Sequence, residues 1–287
     1  MGTTQRLTPG VTGQPNWGDL SKSITHIARS IEKEKDIEKD EKKTDISDAT
    51  IKNDPEIIGD PKINRVYKKL LDKRKVHIKN TYKNLIKTGG GRKNIVNGKS
   101  ASIGRAGIKS ANRITSFFAG VGGSGFEQAL SDVGFGTLNG KSFQEVIDFL
   151  LIYCSESNEG MDETAANKAS CEVMNELALD SNNNLAEFEK LIKELLDGKG
   201  LADTLCRFWG LYIFEHLSQR FEEKINQRGT EVGKETFKII KDDVLGQVKV
   251  LNDKRPVAKI DWKGKDGKKE IERIFDSIIK IICDEND

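Results

Sequence analysis

The sequence predicts an all-α protein, a helical bundle body with a long flexible N-terminal tail. Three observations carry that expectation. Apolar residues recur three and four apart through most of residues 62 to 282, the spacing of one helix face. Nowhere do runs with a two-residue strand period alternate with helical ones, which argues against an α/β or sandwich architecture. The first eighteen residues, MGTTQRLTPGVTGQPNWG, set Pro9, Pro15, Gly10, Gly13 and Gly18 among polar residues, a composition that resists helix and strand alike.

The tail, residues 1 to 18, carries the chain's most distinctive chemistry. Gly2 follows Met1, and a small second residue lets the initiator methionine be removed. The exposed glycine amine would titrate near pH ~8, leaving a useful neutral fraction as a nucleophile. Glycine has no Cβ to obstruct it. Trp17 is the expected anchor at the base of the tail. An N-terminus of ordinary disorder has the same composition. Myristoylation is disfavoured, since its pattern wants Ser or Thr where Arg6 stands.

Composition sets the outer limits. With 36% apolar and 32% charged residues the chain reads as a soluble protein with some disordered sequence. No apolar run approaches the ~20 residues of a membrane span. The N-terminus lacks an apolar signal core, so a cytoplasmic location is expected. Cys154, Cys171, Cys206 and Cys283 stand far apart, each reading as a small buried hydrophobe. The net charge of +2 hides an asymmetry: residues 62 to 113 hold sixteen Lys and Arg against one acid, Asp72, while both flanks are acidic. Such a segment can seek phosphate, an acidic partner or the chain's own body.

Residues 19 to 61 read as a charged linker, largely disordered, because EKEKDIEKDEKK at 32 to 43 has almost no apolar content. One amphipathic turn around Ile24, Ile27 and Ile31 fits within it. Residues 62 to 136 form a basic helical and glycine-rich region. Its first helix runs through Val66, Tyr67, Leu70, Leu71, Ile78, Tyr82 and Leu85 and stops at Gly89, Gly90 and Gly91. The next segment begins as a loop and turns helical from Ser102 into Phe117 and Phe118.

Residues 137 to 287 form the C-terminal helical domain. Ser142 and Glu145 make a capping box ahead of Val146 and Leu150. Asp162 opens a helix that the asparagines at 182 to 184 close, and Leu185 to Leu196 follow before Gly198. Residues 201 to 225 are the most apolar helix and the expected centre of the core. Helices over 231 to 251 and 267 to 282 complete the set, with a short extended piece around Trp262 between them.

Motifs of catalysis are weak throughout. Gly120, Gly122 and Gly125 have the G-x-G-x-x-G spacing, but no strand precedes them and no later strand with an acidic partner follows, so a flexible inter-helix turn or a close-packing site is expected instead. From Gly91 through Gly98, Lys99 and Ser100 the spacing is too long for a phosphate loop. His26, His77 and His216 sit on separate segments, which argues against a metal or catalytic cluster, and no enzymatic activity is expected. A nucleic-acid-binding module is the competing class. It would use Lys69, Lys73, Lys83, Lys87, Arg92, Lys93, Lys99, Arg105, Lys109 and Arg113 on phosphates, with Tyr67 and Tyr82 stacking on bases.

The MGT start leading to Trp17, the GGGR…GKSASIGRAG segment running into FFAGVGGSG, and the helical C-terminal half together resemble the QatB family of the Qat anti-phage defence system. The resemblance implies a bacterial defence subunit acting beside an ATPase (QatA), a QueC-like enzyme (QatC) and a TatD-like nuclease (QatD). It implies that Gly2 is the acceptor for conjugation to a 7-deazaguanine, with Thr3 and Thr4 in the QueC-like partner's channel and the body docked outside. It also implies that ATP and zinc belong to that partner, leaving this chain with no cofactor of its own.

Overall fold

A computed structural model of the chain describes residues 17–47, 61–155, 160–196, 199–254, 260–262 and 264–283. Among these residues all regular structure is helical: α1 (Gly18–Ser47), α2 (Pro61–Thr88), α3 (Arg92–Val96), α4 (Arg105–Ser124), α5 (Phe126–Asp132), α6 (Phe143–Cys154), α7 (Met161–Asp180), α8 (Leu185–Leu196), α9 (Gly200–Asn226), α10 (Thr230–Lys254) and α11 (Lys265–Cys283). The all-α class is therefore as expected. Residues 1 to 16 lie outside the described residues, as do Gly198 and part of the segment around Trp262, of which residues 260 to 262 form no strand.

One expectation needs correction. Residues 19 to 47, assigned to a disordered linker, belong to the thirty-residue helix α1. Leu20, Ile24, Ile27, Ala28 and Ile31 follow one another at helical spacing, and all are fully buried. Average composition concealed this stripe, because its apolar residues are few but all lie on one side. Burying four large aliphatics contributes roughly 2 kcal/mol each, enough to outweigh a weak intrinsic preference. Residues 48 to 60 lie outside the described residues.

The chain divides into two compact units, residues 1–85 with 221–240, and residues 86–220 with 241–287. These cut across the segments that composition suggested: the basic helix α2 joins α1 as far as Leu85, and the glycine-rich region joins the C-terminal helices.

In the first unit α1 and α2 run antiparallel. Asn84 Nδ2 donates to Ser23 Oγ at 2.8 Å, the His26 and His77 rings stack at 4.8 Å, and Arg74 Nε donates to Ser30 Oγ at 2.7 Å. Arg74 also forms a buried ion pair with Glu34, to which the Tyr67 hydroxyl donates. Tyr82 is fully buried and donates to the Ile240 carbonyl at 3.2 Å. The end of α9 and start of α10 add Phe221, Ile225, Phe237 and Ile240 to the core, and Arg228 grips Glu32 through two hydrogen bonds of 2.7 and 2.8 Å.

The second unit is built around α4, which packs against α5, α6, α7, α8 and α11. Phe117, Phe126, Phe188 and Phe143 form an edge-to-face chain with centroids about 6 Å apart, the arrangement aromatic quadrupoles favour. Trp209 of α9 stacks on Phe275 of α11 at 3.8 Å, beside Phe208 and Tyr212. The expected core helix is thus central to this unit. The capping box of Ser142 and Glu145 is formed, with Ser142 Oγ accepting from the Glu145 amide at 3.2 Å. Asn182 and Asn183, both at positive φ, end α7 where the sequence suggested.

Candidate functional site

The GKSASIGRAG segment enters α4 through a tight turn. Gly104 has φ +111°, and a Cβ there would stand 2.3 Å from the Ile95 carbonyl oxygen, so only glycine fits. One turn further on, a Cβ on Gly107 would lie 2.6 Å from the Trp209 ring. Small residues in this stretch therefore let the head of α4 press against α9.

A buried carboxylate fixes that helix head. Asp162, in the first turn of α7, accepts from the Ala106 amide at 2.8 Å, the Gly104 amide at 3.2 Å and His216 Nε2 at 3.0 Å, and from the Tyr212 hydroxyl. It neutralises amides that the first turn of a helix otherwise leaves without partners, at the positive end of its dipole. Burial alone would raise its pKa. Hydrogen bonds from His216, the Ala106 amide and Tyr212 outweigh burial and hold it at about 2. Burial also pushes the Tyr212 hydroxyl well above its ordinary value and lowers His216. His216 Nδ1 has no hydrogen-bond partner among the described residues, which fits a neutral ring carrying its proton on Nε2.

This cluster is closed to substrates. Tyr212 and His216 are essentially unexposed and Asp162 is only 8% exposed, so the group orients the α4 turn and has no room for a reactant. The sequence places His216 on an apolar helix, as a satisfied or an exposed residue, and Asp162 as a helix opener. It did not join them, because they lie 54 positions apart. No group of three His, Cys, Asp or Glu able to hold a metal occurs among the described residues. Gly120 and Gly122 lie inside α4 and meet Ala129 and Leu196, so the G-x-G-x-x-G string is a packing feature.

The sequence-selected cations divide into two kinds. Arg92 pairs with Asp276 at 3.2 Å and Arg113 donates to the Ser155 carbonyl, so both have structural work. Lys93, Lys99, Arg105 and Lys109 are exposed along α3, the following loop and the start of α4. Base stacking by Tyr82 is overturned, since its ring is enclosed in the core; Tyr67 is partly exposed, with its hydroxyl held by Glu34. Of the tail residues, Gly2, Thr3 and Thr4 lie outside the described residues, whereas Trp17 is 7% exposed at the start of α1. Its carbonyl accepts from the Ser21 amide at 2.9 Å, which ties it to the first turn.

A family model for QatB, the Qat anti-phage system associated protein, matches residues 97–282. The chain belongs to the QatB family. The matched span begins in the loop before α4 and ends in α11, taking in the Asp162 cluster and Lys99, Arg105, Lys109 and Arg113. In this QatB family member, Gly2, Thr3, Thr4, Trp17, Arg92 and Lys93 precede the match. No curated protein and no solved structure matches the chain. Among the described residues no helix is long and apolar enough to cross a membrane.

Proposed function

We propose that this subunit of the Qat anti-phage system is not an enzyme but a presenting protein. Its helical body binds a QueC-like partner, QatC, and its tail offers the Gly2 amine, freed by removal of Met1, for conjugation to a 7-deazaguanine. The supporting observation is a Met-Gly start on a glycine- and proline-rich thread, joined at the buried Trp17 to a body whose one buried Asp-His-Tyr cluster is closed to substrate.

The chemistry follows from an amine and a carboxylate. A QueC-type enzyme activates a 7-deazaguanine carboxylate with ATP; the glycine nitrogen, in place of ammonia, attacks the acyl carbon and displaces the activated oxygen. The product is an amide, and the amine loses its proton to solvent or to a base of the partner. ATP and zinc act in the partner. Thr3 and Thr4, short and polar, enter its channel behind Gly2, while Trp17 marks where the thread leaves the body. The ATPase QatA and the TatD-like nuclease QatD are further partners in this reading.

Deletion of residues 3 to 8 in the full chain, co-expressed with the QueC-like protein, tests the division of labour. Copurification is expected to persist while modification of the glycine stops. Loss of modification from Asp162→Asn with an intact tail and intact copurification would place the chemistry in the body and contradict the reading.

A further inference from the structure

The antiparallel pair α1 and α2 carries a surface for which the presenting role has no use. On α1, Lys22, His26, Arg29 and Lys33 follow one another four, three and four residues apart, and all are exposed. On α2, Arg65, Lys69, Lys73, Val76, Asn80 and Lys83 do the same. The stacked His26 and His77 rings mark the seam between the rows, with Lys73 one turn from His77.

Two acids of α1 are engaged by residues outside this row, and a third pairs with a member of it. Glu34 is taken by Arg74 and Tyr67, Glu32 by Arg228, and Asp19 stands 3.8 Å from Lys22. Asp36 and Glu38 lie beyond the end of the row, and Asp72 is the one acid of α2. Among the described residues Arg29, Lys33, Lys69, Lys73 and Lys83 have no acidic partner within ion-pair distance. The His77 pKa is lowered first by burial and then by the charges of His26 and Lys73, as expected where the local field is positive.

We propose that this face of the α1–α2 pair docks on the phosphate backbone of double-stranded nucleic acid. The row from Lys69 to Lys83 spans about 21 Å at the rise of an α-helix, and a duplex carries a charge every ~1.7 Å along its axis. Protein partners select surfaces with aromatic and apolar centres and few lysines. This face has the opposite composition: among the described residues of α2, Val66 and Val76 are the exposed large hydrophobics. Single strands call for aromatic platforms, and both tyrosines of α2 are engaged elsewhere. Lysines acting as point charges read no sequence, so the contact tolerates any duplex.

Fluorescence anisotropy of the full chain with a dye-labelled 25-base-pair DNA duplex of arbitrary sequence, its single strand, and polyglutamate as competitor provides the test. The duplex is expected to bind at low salt and to weaken about 10²–10³-fold from 50 to 200 mM salt, the loss for roughly five phosphate contacts. Lys69→Glu/Lys73→Glu and Arg29→Glu/Lys33→Glu should each weaken binding more than tenfold, with unchanged helicity by circular dichroism; the neutral Lys69→Gln/Lys73→Gln should weaken it less. Lys190→Glu, an exposed reversal on α8, should leave it unchanged. No duplex binding at 50 mM salt overturns the proposal. So does tighter binding of the single strand, displacement by polyglutamate as effective as by duplex, or loss from Lys99→Glu/Arg105→Glu with the α1 and α2 reversals silent.

Discussion

Asp162 contributes to this protein as an acceptor for two backbone amides at the head of α4 and for a tyrosine and a histidine of α9. Asp162→Ala leaves those donors buried without their acceptor, and should destabilise the fold by about 3 kcal/mol. The urea midpoint reads this directly; a loss below about 1 kcal/mol would mean that water replaces the carboxylate. Little of this cluster was legible in the sequence. Helical periodicity identifies Asp162 as a helix opener and His216 as an apolar-face residue, but no local pattern joins α7 to α9. By contrast, the close approach at Gly120 was readable, because a glycine string without a strand before it has little use beyond packing.

At the scale of the elements, periodicity predicted α2 and α6 to α11 well, and gave of α1 only a single amphipathic turn. The miss has a physical cause: a thin stripe of isoleucines is sufficient when ion pairs such as Arg228 to Glu32 and Arg74 to Glu34 use the intervening charges. Composition counts those charges as solvated, whereas their partners lie 40 and 196 residues away. The histidines make the elements sensitive to acid. His77 on α2 and His216 on α9 both have pKa values lowered by burial, so the folded chain binds fewer protons than the unfolded one below about pH 6.5. Their contribution should be level above that value and fall as pH drops from it towards the lowered folded values. The portion due to Asp162 persists to lower pH and is lost as pH falls from the ordinary carboxylate range through about 2. Urea midpoints at pH 8, 7, 6 and 5 check this, and a midpoint that rises on acidification would contradict it.

For the whole molecule, membership in the QatB family rests on residues 97–282, the region that holds α4 to α10 and nearly all of α11. The proposed chemistry lies outside that span, in a tail whose glycine and proline content is evident from sequence and whose base is the buried Trp17. The fold was legible where periodicity exists, whereas the proposed acceptor precedes the matched span and rests on the chemistry of its amine. A duplex-binding face on α1 and α2 would give the same subunit a second attachment, independent of the tail. Intact mass spectrometry of the chain after co-expression with the QueC-like partner tests the central claim most directly. The wild type should lose Met1 and gain the mass of a 7-deazaguanine carboxylic acid less one water, located on Gly2, while Gly2→Pro, whose amine is secondary and hindered, should gain nothing. An unmodified wild-type N-terminus, or the same adduct on Gly2→Pro, would contradict the account.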